Sequence, residues 1–334
     1  MLLQTRRRFL TSFTAAGAAG FIGAPRSFGT EPPPEVTRVR LPVYPKIVDC
    51  GVPIYVAEEM LRAEGFTDIQ FVTKGTNPDA WMWLADGEID FHWEYAPELA
   101  RLIAQNVPLK VLAGLHAGCL ELIADRGVAN VKSLKGKRVG INQLNSAVHV
   151  LVYMMAAHVG LDPARDIEWV TGPDPLELLA AGKVDAFLGA APEPQMARAR
   201  GIGHVILNSA LDRPWSQYYC CMLSGNVDYV KNHPVATRRV LRALLKAVDL
   251  CVTDPQRVAR LTTDNGLASN YDYALQALAE LRFDKWRDFD PEDSMRFYAL
   301  RLREAGKIGA SPQQIIADGT DWRFLNEIRR ELKM

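Results

Sequence analysis

The chain has 334 residues, with 39 Lys+Arg against 39 Asp+Glu and a formal net charge of zero. Its 48% hydrophobic content is enough to bury a sizeable core. The first 29 residues hold four arginines and no acid, so the remainder carries a formal net charge of −4. With no basic run left to neutralise phosphates, nucleic acid is excluded as a partner class.

Residues 1–29 read as an export signal. Thr5-Arg6-Arg7-Arg8-Phe9-Leu10 resembles the twin-arginine consensus and precedes a weakly apolar Gly/Ala-rich run. That run, Phe9 to Ala24, is too short and too rich in glycine for a membrane span, which needs about 20 strongly apolar residues. Small residues at Ser27 and Gly29 offer cleavage before Thr30, and the released protein is expected to be soluble in the periplasm. Cys50, Cys119, Cys220, Cys221 and Cys251 make an odd number, and their spacing supports neither a disulfide framework nor a zinc site. They are expected to be small buried thiols, and neither a cofactor nor a metal is expected.

About 300 remaining residues are natural for two domains. After "EPPPE", the alternation of Val36 to Val43 predicts a first strand. Pro53 opens a helix that Gly65 stops, "IQFVTKG" is a second strand, and Asn77-Pro78 caps the helix "PDAWMWLADG", whose Trp81 and Trp83 are expected in the core. The strand "IDFHW" follows, and Pro97 opens another helix. Further on come a strand from Arg138 to Ile141, a helix from about Ser146 to Val159 ended by Gly160, the strand "DIEWVTG", the helix "PDPLELLAAG" and the strand "VDAFLG". "LELIAD" and "QYYCCMLSG" are apolar strands flanking this block, candidates for crossings between lobes, and from His233 onward the chain is helical, with "VATRRVLRALLKAVDLCV" strongly amphipathic. Alternating strands and helices predict largely parallel sheets covered by helices.

One phrase occurs twice, as "LADGEIDFHWEYAPEL" from Leu84 and "LAAGKVDAFLGAAPEPQ" from Leu179. In each a helix ends on glycine, Gly87 or Gly182, a short buried strand follows, and the chain turns through proline into a new helix. The carboxyl edge of an open α/β sheet is where ligands bind. Two such edges predict two α/β lobes facing each other across a cleft.

"LADGEIDF", then "SLKGKRVGI" with "NSAVHVLVYMMAAHVGLDP", then "LAAGKVDAFLGAAPEP" together resemble the periplasmic solute-binding proteins of ABC importers, in the branch with nitrate, taurine, alkanesulfonate and thiamine-pyrimidine binders. The resemblance implies the two-lobe periplasmic binding protein fold of type II. Each lobe would be a mostly parallel sheet flanked by helices, with the ligand cleft between them. It divides the chain into a signal at 1–29, lobe 1 at 36–123, lobe 2 at 124–215, and a return to lobe 1 over 216–334. It also implies a monomer that closes on a small organic solute, such as a sulfonate, an aromatic acid or a pyrimidine, and docks on a membrane permease. The chain departs from the family at Asn142-Gln143-Leu144-Asn145-Ser146, where a Gly-Ser turn is common, and at Ala191-Pro192, where a tryptophan is common.

Candidate ligand residues gather at the strand edges. Asn142, Asn145, Ser146 and Ala147 surround a helix start that would favour an anion, although Asn145 or Ser146 also serves as a plain cap. In "DFHWEYAPE", one strand parity presents His92 and Glu94 and the other Trp93 and Tyr95. A buried Glu94 would need a donor from the solute, whereas a solvent-facing one would only help to cap the next helix. Tyr44, Lys46, Asn77, His116, Asp174 and Glu193 complete the set. His116 and Cys119 lie three apart, but no third metal ligand or orienting residue is recognisable, so packing or a solute hydrogen bond from His116 is expected. No G-x-S-x-G elbow, phosphate-binding glycine loop or H-E-x-x-H helix is present. A receptor rather than an enzyme is therefore expected. The alternatives are a pyrimidine-synthase-like enzyme on the same fold, with Cys220-Cys221 as a faint echo of its cysteine-rich stretch, and a periplasmic ligand sensor.

Overall fold

The structure is a computed structural model. It describes residues 31–44, 50–73 and 80–331, and everything below concerns these. The export signal, Lys46 and Asn77 lie outside them.

In chain order the strands are β1 Arg38–Pro42, β2 Asp68–Val72, β3 Phe91–Tyr95, β4 Leu109–Ala117, β5 Leu120–Ala124, β6 Lys137–Ile141, β7 Ile167–Thr171, β8 Ala186–Ala190, β9 His204–Asn208 and β10 Tyr219–Asn226. The helices between them are α1 Val52–Tyr55, α2 Glu58–Ala63, α3 Ala80–Ala85, α4 Ala96–Ala104, α5 Ala147–His158, α6 Pro175–Ala180 and α7 Glu193–Arg200. After β10 come α8 Val227–Asn232, α9 Pro234–Thr253, α10 Pro255–Asp264, α11 Tyr271–Glu280, α12 Pro291–Glu304, α13 Pro312–Gly319 and α14 Arg323–Glu331.

β1 and β2 pair in parallel, and β10 runs antiparallel between β3 and β4. The third sheet has the order β7-β6-β8-β5-β9, with β7, β6 and β8 parallel and β5 antiparallel to both neighbours. "LELIA" forms β5, placed by the sequence at the end of the first lobe, yet it bonds to β8 and β9. The chain therefore changes sheets at Gly118-Cys119 and returns over residues 209–218 into β10. Ser209 ties the two passages together, its hydroxyl accepting the N–H groups of Cys119 at 3.1 Å and Leu120 at 2.9 Å.

Local signals account for most element ends. Gly87 and Gly182 both stand at left-handed φ, +69° and +66°, where a Cβ would be strained. Pro97 lies in the first turn of α4, where its missing N–H costs nothing. α9 buries Leu241, Leu244, Leu245, Val248 and Cys251 along one stripe, as an amphipathic helix laid on a core must. The helix expected from Pro53 to Gly65 is instead two pieces, α1 and α2. The break at Val56 and Ala57 lets α1 bury all four residues, while α2 turns Glu58 and Glu59 outward and Leu61 inward.

Candidate functional site

β3 and the segment after β1 build one edge. Tyr44 stands over both parities of β3: its hydroxyl lies 3.5 Å from His92 Nε2, and its ring meets the Trp93 ring edge-on at 5.4 Å. Tyr55 meets Trp93 from another side at 5.8 Å. The choice between the two parities is thus not a simple inward-or-outward one, because His92 and Trp93 are both buried. Burial pushes His92 down to about 3, so it is a neutral imidazole. Glu94 is half-buried, and its carboxylate accepts the Tyr95 N–H at 2.8 Å.

The second edge lies at the start of α5. Ser146 is the N-cap, its hydroxyl accepting the His149 N–H at 3.3 Å. Asn145 takes left-handed φ, +64°, and donates its N–H to His149 Nδ1 at 2.9 Å. His149 is thereby held by both cap residues and packs edge-on against Trp169 at 4.5 Å. Burial, with Lys307 nearby, lowers it to about 4. The N–H groups of Ala147 and Val148, in the first turn, have no acceptor within the helix. Asn142 is exposed and donates to the Pro173 carbonyl at 3.3 Å.

Asp174 caps α6 by accepting the Glu177 N–H at 3.1 Å. Glu193 opens α7 and accepts the Ala190 N–H at 3.3 Å. Burial raises its carboxyl to about 7, and the charge of Asp174 adds to the rise. Near neutrality Glu193 is therefore held between donor and acceptor forms. Trp83 is in the core and Trp81 packs against it.

His116 is fully buried in β4, packed edge-on to Phe283 at 5.1 Å, and its ring lies beside cysteine sulfurs. The sequence offered no third ligand beside His116 and Cys119, but the fold supplies Cys50 and Cys221: one ligand atom from each of the four lies within 4.8 Å of all the others. Cys50 and Cys221 are 171 positions apart, so no spacing rule could have paired them. Tyr55, which sequence reasoning also missed, likewise carries no local signal.

Among solved structures, the chain is similar to the periplasmic nitrate-binding protein NrtA from Synechocystis PCC 6803, with a TM-score of 0.76 at 15% identity over 90% of each chain. It is also similar to the periplasmic aliphatic sulphonate binding protein SsuA from Escherichia coli, with a TM-score of 0.66 at 18% identity, covering 84% of this chain and 92% of that one. The alkanesulfonate-binding protein SsuA from Xanthomonas axonopodis pv. citri, bound to MOPS, gives 0.65 at 18% identity over 88% and 99%. No curated protein matches the chain. The profile described as "NMT1/THI5 like" matches residues 52–258. The chain therefore belongs to the NMT1/THI5-like family and has the periplasmic binding protein fold.

Proposed function

We propose that this protein is the periplasmic receptor of an ABC importer, a monomer exported by the twin-arginine route and cleaved near Gly29. It captures a small organic solute between two lobes and presents it to the permease. The lobes are the β3-β10-β4 sheet with β1, β2 and the C-terminal helices, and the five-stranded sheet with α5 to α7. The observation that carries this reading is that only two passages, at residues 118–119 and 209–218, link the sheets, and each sheet brings a loop-and-helix edge furnished with polar and aromatic groups. Such a pair of linkers is the geometry of hinge closure.

The edge chemistry supports a solute with an acidic group, an aromatic ring or both: a sulfonate, an aromatic acid or a pyrimidine. The α5 N-terminus offers backbone N–H groups and a positive dipole end to an anion. Tyr44 and Trp93 offer ring faces and edges. Glu193 would exchange a proton or hydrogen bond with a polar solute atom. The protein itself breaks no covalent bond of the solute, and no helix among the described residues is long and apolar enough to cross a membrane.

The test is thermal unfolding screened against nitrate, sulfonates, aromatic carboxylates and amino-pyrimidines. A ligand at 100 times its Kd stabilises by about 2.7 kcal/mol, a shift of several degrees at this size. A response confined to one class identifies the solute chemistry, and it should weaken in Ser146→Ala. A protein that responds to none of them, and that keeps the same shape in scattering experiments with each, is not this receptor.

A further inference from the structure

We infer that Cys50, His116, Cys119 and Cys221 form a binding site for a thiophilic divalent cation of the zinc type. This goes beyond the receptor reading and does not depend on it.

The four residues come from three distant parts of the chain. Cys50 stands two residues before α1, His116 lies near the end of β4, Cys119 sits in the passage between β4 and β5, and Cys221 is on β10. The Cys221 and Cys50 sulfurs are 3.1 Å apart, and Cys119 Sγ lies 3.9 Å from Cys221 Sγ. Sulfurs bound tetrahedrally to zinc at 2.3 Å stand about 3.8 Å from one another, so the thiols need move apart by less than about 1 Å to admit the ion. Cys220 adds a fourth sulfur, 2.9 Å from Cys119.

The histidine separates this reading from ordinary thiol packing. His116 is 0% exposed, and among the described residues neither of its ring nitrogens makes a hydrogen bond of normal geometry. Burying an imidazole in this way is costly and uncommon. Paired disulfides, Cys119 with Cys220 and Cys50 with Cys221, would leave the ring just as unsatisfied. A cation bound by three sulfurs and one ring nitrogen satisfies that nitrogen and leaves only the other ring N–H without a partner, in a ligand set common among structural zinc sites. Binding would displace thiol protons to solvent.

The position gives the site a mechanical consequence. Cys119 belongs to one passage between the sheets and Cys221 follows the other, so the ion would cross-link the two. Cys119 is the only one of the four that is not fully buried, and it lines a small recess with Glu121, Pro194 and Gln195, which gives the ion an entry path.

The experiment is titration of the reduced full chain with Co2+. The expected result is one ion per chain, a thiolate-to-cobalt charge-transfer band with intense tetrahedral ligand-field absorption, and bleaching by one equivalent of Zn2+. Cys119→Ser should bind at least tenfold more weakly, whereas Cys251→Ser, which removes a buried thiol elsewhere on α9, should bind as the parent does. No charge-transfer band in the folded parent, or an undiminished band in Cys119→Ser, overturns the site. A measurement that needs no variant is alkylation of Cys119: one equivalent of Zn2+ should slow it at least tenfold, and equal rates with and without the ion overturn the proposal.

Discussion

Asp90 holds Arg40 twice, accepting its backbone N–H at 2.7 Å on Oδ2 and its guanidinium at 2.6 Å on Oδ1. Asp185 does the same to Arg138, at 2.8 Å for both the backbone N–H and the guanidinium. Each aspartate stands three residues after the glycine of the repeated phrase, Gly87 or Gly182, and returns a bond through its own N–H to the arginine carbonyl, at 2.8 Å in both cases. The repetition in the sequence is therefore one device used twice, fastening the strand after the glycine turn to the strand at the start of its half.

The two copies differ in burial, which orders their energetics. The Asp90 side chain is 3% exposed and that of Asp185 19%. Asp90→Ala leaves a largely buried guanidinium without its partner and should cost about 3–5 kcal/mol. Asp185→Ala should cost about 1 kcal/mol, because solvent screens the pair. Urea unfolding of the two variants measures the difference, and equal losses would refute the ordering.

Glu193 makes stability fall as pH rises. Its folded value of about 7 lies above the ordinary carboxyl value, so between roughly 4.5 and 7 the unfolded chain has released a proton that the folded chain still holds. Above pH 7 the penalty reaches about 3 kcal/mol at most. Glu193→Gln should match the parent at pH 4.5 and exceed it in Tm at pH 8. A difference independent of pH would show that Glu193 is not the titrating group.

His149 acts in the opposite direction. Its folded value of about 4 lies below the ordinary imidazole value, so the unfolded chain takes up a proton first as pH falls through 6.5. Its stabilising share is present above that pH and is lost progressively down to about 4. The Tm of the parent should drop between pH 7 and pH 5, and that of His149→Gln should drop less, from a lower starting value. Parallel curves for the two proteins would count against a buried neutral imidazole.

Gly118 sets the first passage between the sheets. Its φ is +57°, and a Cβ there would lie 2.2 Å from the Ala210 Cα in the returning passage. Gly118→Ala must push two backbones apart and should cost more than the 1–3 kcal/mol typical of overpacked cores. Its effect should also appear in any solute affinity, because the passages are the hinge of the proposed closure. A variant as stable as the parent would mean that the passages do not run this close.

Ser146→Ala removes the cap that holds His149 and should cost about 1 kcal/mol of stability. An affinity loss greater than the stability loss explains would show that the hydroxyl or its helix start touches the solute.

Much of the fold was legible residue by residue. Gly87 and Gly182 as left-handed stops, Pro97 at a helix start, Ser146 as a cap and the core stripe of α9 all follow from backbone torsions, missing N–H groups and a 3.6-residue period. These are short-range constraints, and a sequence carries them openly. The candidate site was legible only in outline: helix starts and strand ends mark its edges, but periodicity could not show that Tyr44 meets both His92 and Trp93.

The tertiary structure alone decided the rest. That "LELIA" joins the five-stranded sheet depends on which strands were already paired, because its five buried residues fit any interior position. That Cys50, His116, Cys119 and Cys221 share one small volume depends on two sheets packing and two passages crossing beside each other. Contacts over such separations are made by the packing of whole elements, and the identities of the four residues carry no trace of it.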